Sequence, residues 1–284
     1  MFTDVPGTPL HLESLIGFLR QNSRRSLSSK EIRDSFQPAS IHHEQDQSEN
    51  TIRAIEQLLL GENKTGQFVL TQRARGRSPV RRTILEAIDE NVLAKLDVEP
   101  FLALFYAYML GLNGTATGKK REEWVLAFNR DVFDNVKQNN QFNTTKLTGL
   151  HRWMSYMGLG WYDPKGEFQC APFERLQRRL QPIFQKQKKL ECDEFMQRLA
   201  EACPELDGGS IFLEANKSYD PNSKQCTLGL SHALIDLHLE GLIKLHCPKD
   251  SDGWSIALAT PPNDGKTLAS NRISQVELGK GGIK

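Results

Sequence analysis

A local pattern of apolar and polar positions occurs three times along the chain: a helix, a glycine, then two short alternating strands. The clearest copy lies near the C-terminus, where three leucines have helical spacing and Gly241 follows them. Residues 242–245 then alternate as a strand does, and residues 254–258 alternate again after a polar turn. The pattern predicts a helix followed by a hairpin.

The first copy lies in the N-terminal third of the chain. Ser28 and Glu31 have the spacing of a capping box, which predicts the start of a helix. A further helix has its apolar residues on one face and Gly61 at its end, and residues 67–71 form a predicted strand. The arginine-rich loop 73–77 falls where the tip of a wing would lie.

The second copy is central. Residues 147–157 have apolar side chains at helical spacing. The segments 159–162 and 167–170 are predicted strands, joined by an Asp-Pro-Lys-Gly turn. Trp153 and Trp161 are expected in the core rather than on the surface.

The three copies predict a mainly α fold with small β-hairpins, organised as tandem winged helix-turn-helix units. The predicted domains are an N-terminal winged-helix-like domain with two extra helices (1–112), a central winged-helix-like domain (118–180) and a C-terminal winged-helix domain (190–260). Residues 261–284 are polar and glycine-rich, which predicts a flexible tail.

Composition is that of a soluble globular protein, with 38% hydrophobic and 25% charged residues. No stretch approaches the roughly 18 apolar residues of a membrane span, and the N-terminus lacks an export signal. The five cysteines are widely spaced and odd in number, which is typical of a reducing compartment. We therefore expect a cytoplasmic protein.

The net charge of +1 hides a segregation of charge along the chain. Residues 63–85 contain six basic and no acidic side chains, and so do residues 175–189. A solvated basic face is one interpretation of such a run. Two acid-free runs beside winged-helix-like units favour contact with phosphate groups instead.

Candidate nucleic-acid contacts come from these runs and from two predicted helices. Thr51, Arg53 and Gln57 are expected to face outward from the third helix of the first copy, either toward base edges and phosphates or simply toward water. The basic candidates are Arg73, Arg75, Arg77, Arg81, Arg82, Lys146, Arg152, Arg178, Arg179, Lys186, Lys188 and Lys189.

The common enzyme motifs are missing from the sequence, including the P-loop, the nucleophile elbow and the zinc-protease helix. Cys226, His232, His238 and Cys247 match no common zinc spacing. Glu62-Asn-Lys64 resembles a fragment of a nuclease site but lies in a predicted turn. We therefore predict a non-enzymatic protein with no catalytic residue, no cofactor and no metal ion.

The segment Phe142-Asn-Thr-Thr-Lys-Leu-Thr-Gly-Leu-His-Arg-Trp-Met-Ser-Tyr-Met-Gly-Leu-Gly-Trp161 resembles the helix and wing of DpdG-like bacterial proteins. The shared pattern is an asparagine, a lysine and a tryptophan ahead of a leucine-glycine pair. The resemblance is strongest over residues 120–175. It implies an accessory component of phage-defence or DNA-modification gene clusters, and it brings no catalytic residues.

Together these features predict a non-enzymatic DNA-binding accessory subunit of a multi-protein bacterial system in anti-phage defence. We expect it to bind duplex DNA mainly through contacts with the DNA backbone. The expected partners are double-stranded DNA and other protein subunits of the same system, with no membrane and no small-molecule substrate. The alternative is a winged-helix scaffold that docks proteins within an SMC-type DNA-processing complex. The C-terminal copy is the least basic and is expected to contact protein.

Overall fold

The computed structural model describes residues 8–23, 27–36, 47–97, 99–113, 120–134, 141–246, 253–257 and 271–280. Helices dominate these ranges. The α-helices are α1 (Pro9–Gln21), α2 (Ser29–Phe36), α3 (Gln47–Gln57), α4 (Gln72–Arg75), α5 (Val80–Ile88), α6 (Pro100–Gly111), α7 (Arg121–Phe133), α8 (Thr144–Met157), α9 (Phe173–Phe184), α10 (Cys192–Ala202), α11 (Ser210–Ala215) and α12 (Leu228–Leu239). The strands are β1 (Leu27–Ser28), β2 (Gly61–Lys64), β3 (Gln67–Leu70), β4 (Gly160–Tyr162), β5 (Phe168–Cys170), β6 (Lys189–Glu191), β7 (Ile243–His246), β8 (Trp254–Ser255), β9 (Arg272–Ile273) and β10 (Gln275–Leu278).

The chain divides into two compact units. Unit 1 comprises residues 1–102 and 143–156, and unit 2 comprises residues 103–142 and 157–284. The division falls within α6 and within α8. Helices joined by small antiparallel sheets confirm the predicted fold class at that level. The three predicted domain boundaries stay a prediction.

Unit 1 has a three-stranded sheet in which β3 is the middle strand, in the order β1-β3-β2. Phe68 of β3 pairs with Leu27 on one side and with Asn63 on the other. Along the chain the order is α1, β1, α2, α3, β2, β3. Leu15 of α1 and Ile55 of α3 are fully buried (0% exposed) and belong to the core that these elements share.

A leucine in the left-handed conformation ends α3. Leu59 has φ 55° and a side chain that is 65% exposed, and the next amide, of Leu60, donates to the carbonyl of Ile55 at 2.9 Å. The predicted terminator Gly61 is instead the first residue of β2. A Cβ atom there would lie 2.6 Å from the Phe68 ring, so the close approach of that ring explains the glycine.

The central segment matches its predicted elements. The predicted helix 147–157 is observed as α8, and the predicted hairpin is observed as β4 paired with β5. Trp153 is buried, as predicted, but Trp161 is 55% exposed. That prediction is wrong for Trp161 because its hairpin has only two strands, and its cross-strand neighbour Gln169 does not cover the indole.

Unit 2 repeats the sheet order of unit 1. From α9 onward its chain order is α9, β6, α10, α11, α12, β7, β8, β9, β10, and its three-stranded sheet runs β6-β10-β7. Compared with unit 1, the short α11 and the two-residue strands β8 and β9, which pair with each other, are insertions. Val276 of β10 pairs with Leu190 on one side and with Leu245 on the other. The middle strand is again the last one along the chain.

The return strand of the C-terminal hairpin therefore differs from the prediction. The alternating residues 254–258 are the predicted partner, but β7 pairs with β10, which lies within the predicted flexible tail 261–284. Trp254 of β8 pairs with Ile273, and its indole nitrogen donates to Asp193 at 2.7 Å. Alternation predicts that residues 254–258 are extended, but it does not state which strand they pair with.

A buried carboxylate holds the start of α12. Asp207 is 1% exposed and accepts hydrogen bonds from the amide (2.6 Å) and the hydroxyl (2.8 Å) of Thr227. The Thr227 hydroxyl in turn accepts from the amide of Leu230, which makes it the N-cap of α12. Burial raises the pKa of Asp207 to about 6, although the hydrogen bonds from Thr227 oppose that rise.

We expect Leu59→Gly to stabilise unit 1 by about 0.5–1 kcal/mol, because glycine adopts the left-handed conformation without the steric cost that leucine has. Gly241 (φ 70°) lies in the matching position after α12. No atom lies within 4 Å of the place a Cβ would take, so only the left-handed backbone conformation opposes Gly241→Ala. That substitution should destabilise the protein by about 1 kcal/mol. Denaturant unfolding of both variants checks the pair. A loss of stability in Leu59→Gly would show that the leucine side chain contributes more than its strain costs.

Asp207 should make stability fall as pH rises. Its pKa is higher in the folded than in the unfolded chain, so its favourable contribution is fully present below about pH 4 and is lost as pH rises through about 6. Linkage converts that rise into about 3 kcal/mol. The stability of wild type minus that of Asp207→Asn, measured by denaturant unfolding from pH 4 to pH 7, should decline by an amount of this order. Parallel pH profiles would contradict it.

Candidate nucleic-acid interface

The exposed face of α3 differs from the prediction. Thr51 is fully buried (0% exposed), so the prediction that it faces outward is wrong. Helical spacing explains the burial, since Thr51 lies one turn before Ile55 and two turns before Leu58, both core residues. Arg53 is exposed, but its guanidinium lies 3.4 Å from Oε1 of Glu49. Part of its charge is therefore offset.

The rest of this face carries more acid than base. Gln57 is only partly exposed, and Glu56 lies on the same side as Glu49 and Arg53. A cleft of about 340 Å³ opens here in unit 1 between α2, α3 and β2. Its lining holds two arginines and two glutamates, with Ser29, Arg33, Ser48, Glu49, Ile52, Arg53, Glu56 and Asn63 around it. This side of unit 1 offers no excess of positive charge to phosphate groups.

The arginine-rich segment is not the tip of the hairpin. The β2–β3 turn is at Thr65 and Gly66, and α4 with its arginines follows the hairpin. Arg20 of α1 holds this segment in place. Its guanidinium donates to the carbonyls of Ala74 and Ser78, both at 2.6 Å, and to the hydroxyl of Thr83 at 3.0 Å.

Ion pairs divide the arginines of this segment into two groups. Arg73 forms a two-point contact with Glu90 (2.6 and 3.1 Å) and approaches Glu86 at 3.6 Å, and the hydrogen bond to Glu90 is the main cause of a raised Arg73 pKa. Arg82 pairs with Glu86 at 2.9 Å. Arg75 and Arg77 are exposed and have no acidic partner among the described residues.

Arg81 is held by Tyr156 of α8. Its guanidinium donates to the Tyr156 carbonyl at 3.0 Å, and its central carbon lies 5.3 Å from the centre of the Tyr156 ring. The Tyr156 hydroxyl donates to Glu13 of α1 at 2.6 Å. Burial, followed by the hydrogen bond to Glu13, raises the pKa of Tyr156 above its ordinary value. The Tyr156 ring is thus held in place, and the Arg81 guanidinium packs on it while the Arg81 side chain stays exposed.

The exposed face of α8 carries no acidic side chain. Lys146 does not belong to this face: it is 3% exposed and its ammonium lies 4.7 Å from the centre of the Phe101 ring, so its predicted contact with nucleic acid is wrong. Arg152 is exposed, one turn before Tyr156. The solvent-facing stripe consists of Thr145, Thr148, Gly149, Arg152 and Ser155.

The candidates in unit 2 are spread over several environments. Arg178 is partly buried and donates to the carbonyl of Met157 at 3.1 Å, and Arg179 is partly buried as well. Lys186, Lys188 and Lys189 are exposed. On the open face of the sheet, Lys189 pairs across the strands with Glu277, which also faces Lys244 and accepts a hydrogen bond from His246 that lowers its pKa.

Arg175 shows why a basic run in sequence is not a basic surface. It belongs to the run 175–189, yet it is fully buried and pairs with Glu205, which is also fully buried, at 2.6 Å. A buried charge needs such a partner, because losing either one leaves the other uncompensated.

Unit 1 therefore leaves a smaller set of candidates available than the sequence predicted. Arg75, Arg77, Arg81 and Arg152 remain exposed without a described acidic partner. Sequence reasoning missed the hydroxyls of Thr145 and Ser155 on α8. The signal was present, since both lie at helical spacing from Arg152 on the side opposite the apolar residues.

The described residues contain neither a metal-binding cluster nor a membrane-spanning helix. No group of three or more histidine, cysteine, aspartate or glutamate side chains in the described ranges is placed to hold a metal ion. No described helix combines the length and the apolar composition that crossing a membrane requires.

Replacing Arg20 with methionine should loosen the arginine-rich segment. Three hydrogen bonds are lost, at a cost of about 2–3 kcal/mol, and amides between residues 72 and 80 should exchange hydrogen faster. The matched control is Arg53→Met, which removes only an exposed 3.4 Å ion pair and should change stability by less than about 0.5 kcal/mol. Unchanged exchange in this segment would show that Arg20 does not hold it.

Comparison with known proteins places the chain in a family. No curated protein and no solved structure matches it. A family model described as DpdG-like matches residues 2–252, which extends the resemblance seen around α8 to most of the chain. Membership is consistent with an accessory protein of a DNA-modification or defence cluster. Because the match covers most of its length, the chain belongs to the DpdG-like family.

Proposed function

We propose that this protein is a non-enzymatic accessory subunit of a DNA-modification or anti-phage defence system, and that unit 1 holds duplex DNA by its phosphate backbone. The family supports the setting. The observation that carries the DNA contact is the acid-free exposed face of α8, together with Arg81 fixed beside it on Tyr156.

The topology of each unit supports a winged-helix assignment. Both contain the order helix, strand, helix, helix, strand, strand, and both place the last of these strands in the middle of a three-stranded sheet. In unit 2, α11 and the β8–β9 pair are insertions in this order. In winged helices of this order, the third helix and the hairpin are the elements that meet a partner.

The chemistry of α8 suits a phosphate backbone. Serine and threonine hydroxyls and arginine side chains supply many of the protein contacts to phosphate oxygens, and a face of small side chains allows close approach. Arg152 and Arg81 both lie next to Tyr156, so at least two cations accompany the hydroxyls of Thr145 and Ser155. Arg75 and Arg77 extend the positive charge of unit 1.

The third helices of the two winged-helix-like units are poorly suited to reading bases. The exposed face of α3 carries Glu49 and Glu56 around Arg53, and the exposed face of α12 carries Asp236 and Glu240 with no lysine or arginine. Carboxylates on these faces repel phosphate groups. We therefore assign backbone contact without base readout to unit 1, and contact with other proteins to α12.

The scaffold alternative is favoured by that same face of α12. If unit 1 does not bind DNA, the family setting and the acidic, partly apolar face of α12 still support a subunit that docks other proteins in the same system. The two functions make different predictions for the arginines of unit 1.

Replacing Arg75, Arg77, Arg81 and Arg152 together with glutamine should weaken binding of duplex DNA and flatten its salt dependence. The slope of log K against log salt should drop by about 0.9 for every phosphate contact removed. Fluorescence anisotropy with labelled duplexes of two unrelated sequences, over a salt series, measures both effects. The two duplexes should respond equally, because no base is read.

The matched control replaces four arginines that already have acidic partners or lie apart from α8: Arg53, Arg73, Arg82 and Arg130. It removes the same formal charge, and we expect less than half of the effect on the slope. Equal losses in both variants would mean that net charge alone attracts the DNA. Salt-independent binding, or none by the wild type, would overturn the DNA function and leave the scaffold.

A further inference from the structure

The exposed side of α12 is a regular stripe. His232, Ile235, Asp236, Leu239 and Glu240 are the residues on it, at positions i, i+3, i+4, i+7 and i+8 of the helix and its C-cap. His232, Asp236 and Glu240 are exposed, while Ile235 and Leu239 are partly exposed between them. The opposite side, with Leu230, Leu234 and Leu237, is buried in the core of unit 2.

The two acidic side chains of this stripe lie near the C-terminus of α12, where the helix dipole is unfavourable to negative charge. The C-terminus of a helix carries partial negative charge, so acidic side chains in the last turn are unfavourable there. Asp236 lies in the last turn and Glu240 is the C-cap residue, one turn further on. His238 is the basic residue of this last turn, and its Nδ1 accepts a hydrogen bond from the amide of Leu245.

The surroundings of Asp236 act in both directions. Asp236 is exposed, but the desolvation of its carboxyl raises its pKa, the nearby His232 lowers it, and Glu240 raises it by a smaller amount. A cation brought from outside would offset the desolvation, the repulsion from Glu240 and the helix dipole together. Ile235 and Leu239 would at the same time gain apolar contacts.

We propose that this α12 stripe is a docking surface for a lysine- or arginine-rich amphipathic helix of another protein. The partly exposed Ile235 and Leu239 would take apolar residues of that helix, and Asp236 and Glu240 would pair with its flanking cations. An amphipathic helix laid along a partner surface is a common mode of protein recognition. The proposal rests on the protein contact assigned to α12 in the proposed function and is independent of the DNA contact of unit 1, so either can fail without the other.

The probes are two labelled synthetic helical peptides with the same leucine pattern, one flanked by lysines and one by glutamates. Anisotropy titrations use the full-length protein. The stripe variant is Asp236→Arg with Glu240→Arg. The matched control is Glu201→Arg with Glu214→Arg, which reverses two exposed acids on α10 and α11 of the same unit. Thermal unfolding establishes that each variant is folded, and DNA binding is measured in parallel.

The lysine peptide should bind the wild type, and the stripe variant should bind it at least about tenfold more weakly, a change of about 1.4 kcal/mol. The control should change by less than about twofold, the glutamate peptide should not bind, and DNA affinity should not fall in the stripe variant. Leu239→Ser tests the apolar part of the stripe. It should weaken binding of the lysine peptide although the charge of the stripe is unchanged.

Three results would overturn the proposal. The first is an equal loss of affinity for the lysine peptide in the stripe and control variants, which would indicate general attraction to acidic side chains. The second is no binding of the lysine peptide to the wild type. The third is self-association of the wild type, seen by sedimentation velocity and abolished in the stripe variant, because a second copy of the chain would then occupy the stripe.

Discussion

Both units depend on one constraint of strand pairing: the last strand along the chain lies between the two earlier ones. β3 separates β1 from β2 in unit 1, and β10 separates β6 from β7 in unit 2. A middle strand forms backbone hydrogen bonds on both sides, so it pairs with the facing backbone groups of both neighbours and joins two strands that do not pair with each other. In unit 2 this pairing joins Lys189 of β6 to Glu277 of β10, which are far apart along the chain.

Ion pairing decides which basic side chains are available to a ligand. Arg73, Arg82 and Arg175 have glutamate partners, and for Arg175 the pair is fully buried. Arg20 and Tyr156 act differently, since each orients a basic segment instead of neutralising it. Preorganised cations lose less side-chain freedom on binding, so a few of them can contribute more than a long mobile run.

The exposed helix faces of the described residues differ in charge. The third helix of each winged-helix-like unit carries carboxylates on its exposed side, whereas α8, outside the repeated topology, carries hydroxyls and Arg152 with no acid. This distribution is the basis on which we propose DNA contact for unit 1 and protein contact for α12. The net charge of +1 is the sum over the whole chain and does not show this difference between faces.

The sequence by itself determined the local features: the Ser28–Glu31 capping box, the β4–β5 turn and the helix that ends before Gly241 all form as predicted. Each depends on atoms a few residues apart, so spacing and residue type suffice. Only the tertiary structure decided that β10 pairs with β7 and that Lys146 is buried against the Phe101 ring. Only the tertiary structure, likewise, left Arg81 exposed and gave Arg175 a buried partner. These outcomes depend on groups brought together from distant parts of the chain, and neither charge runs nor periodicity contains that information.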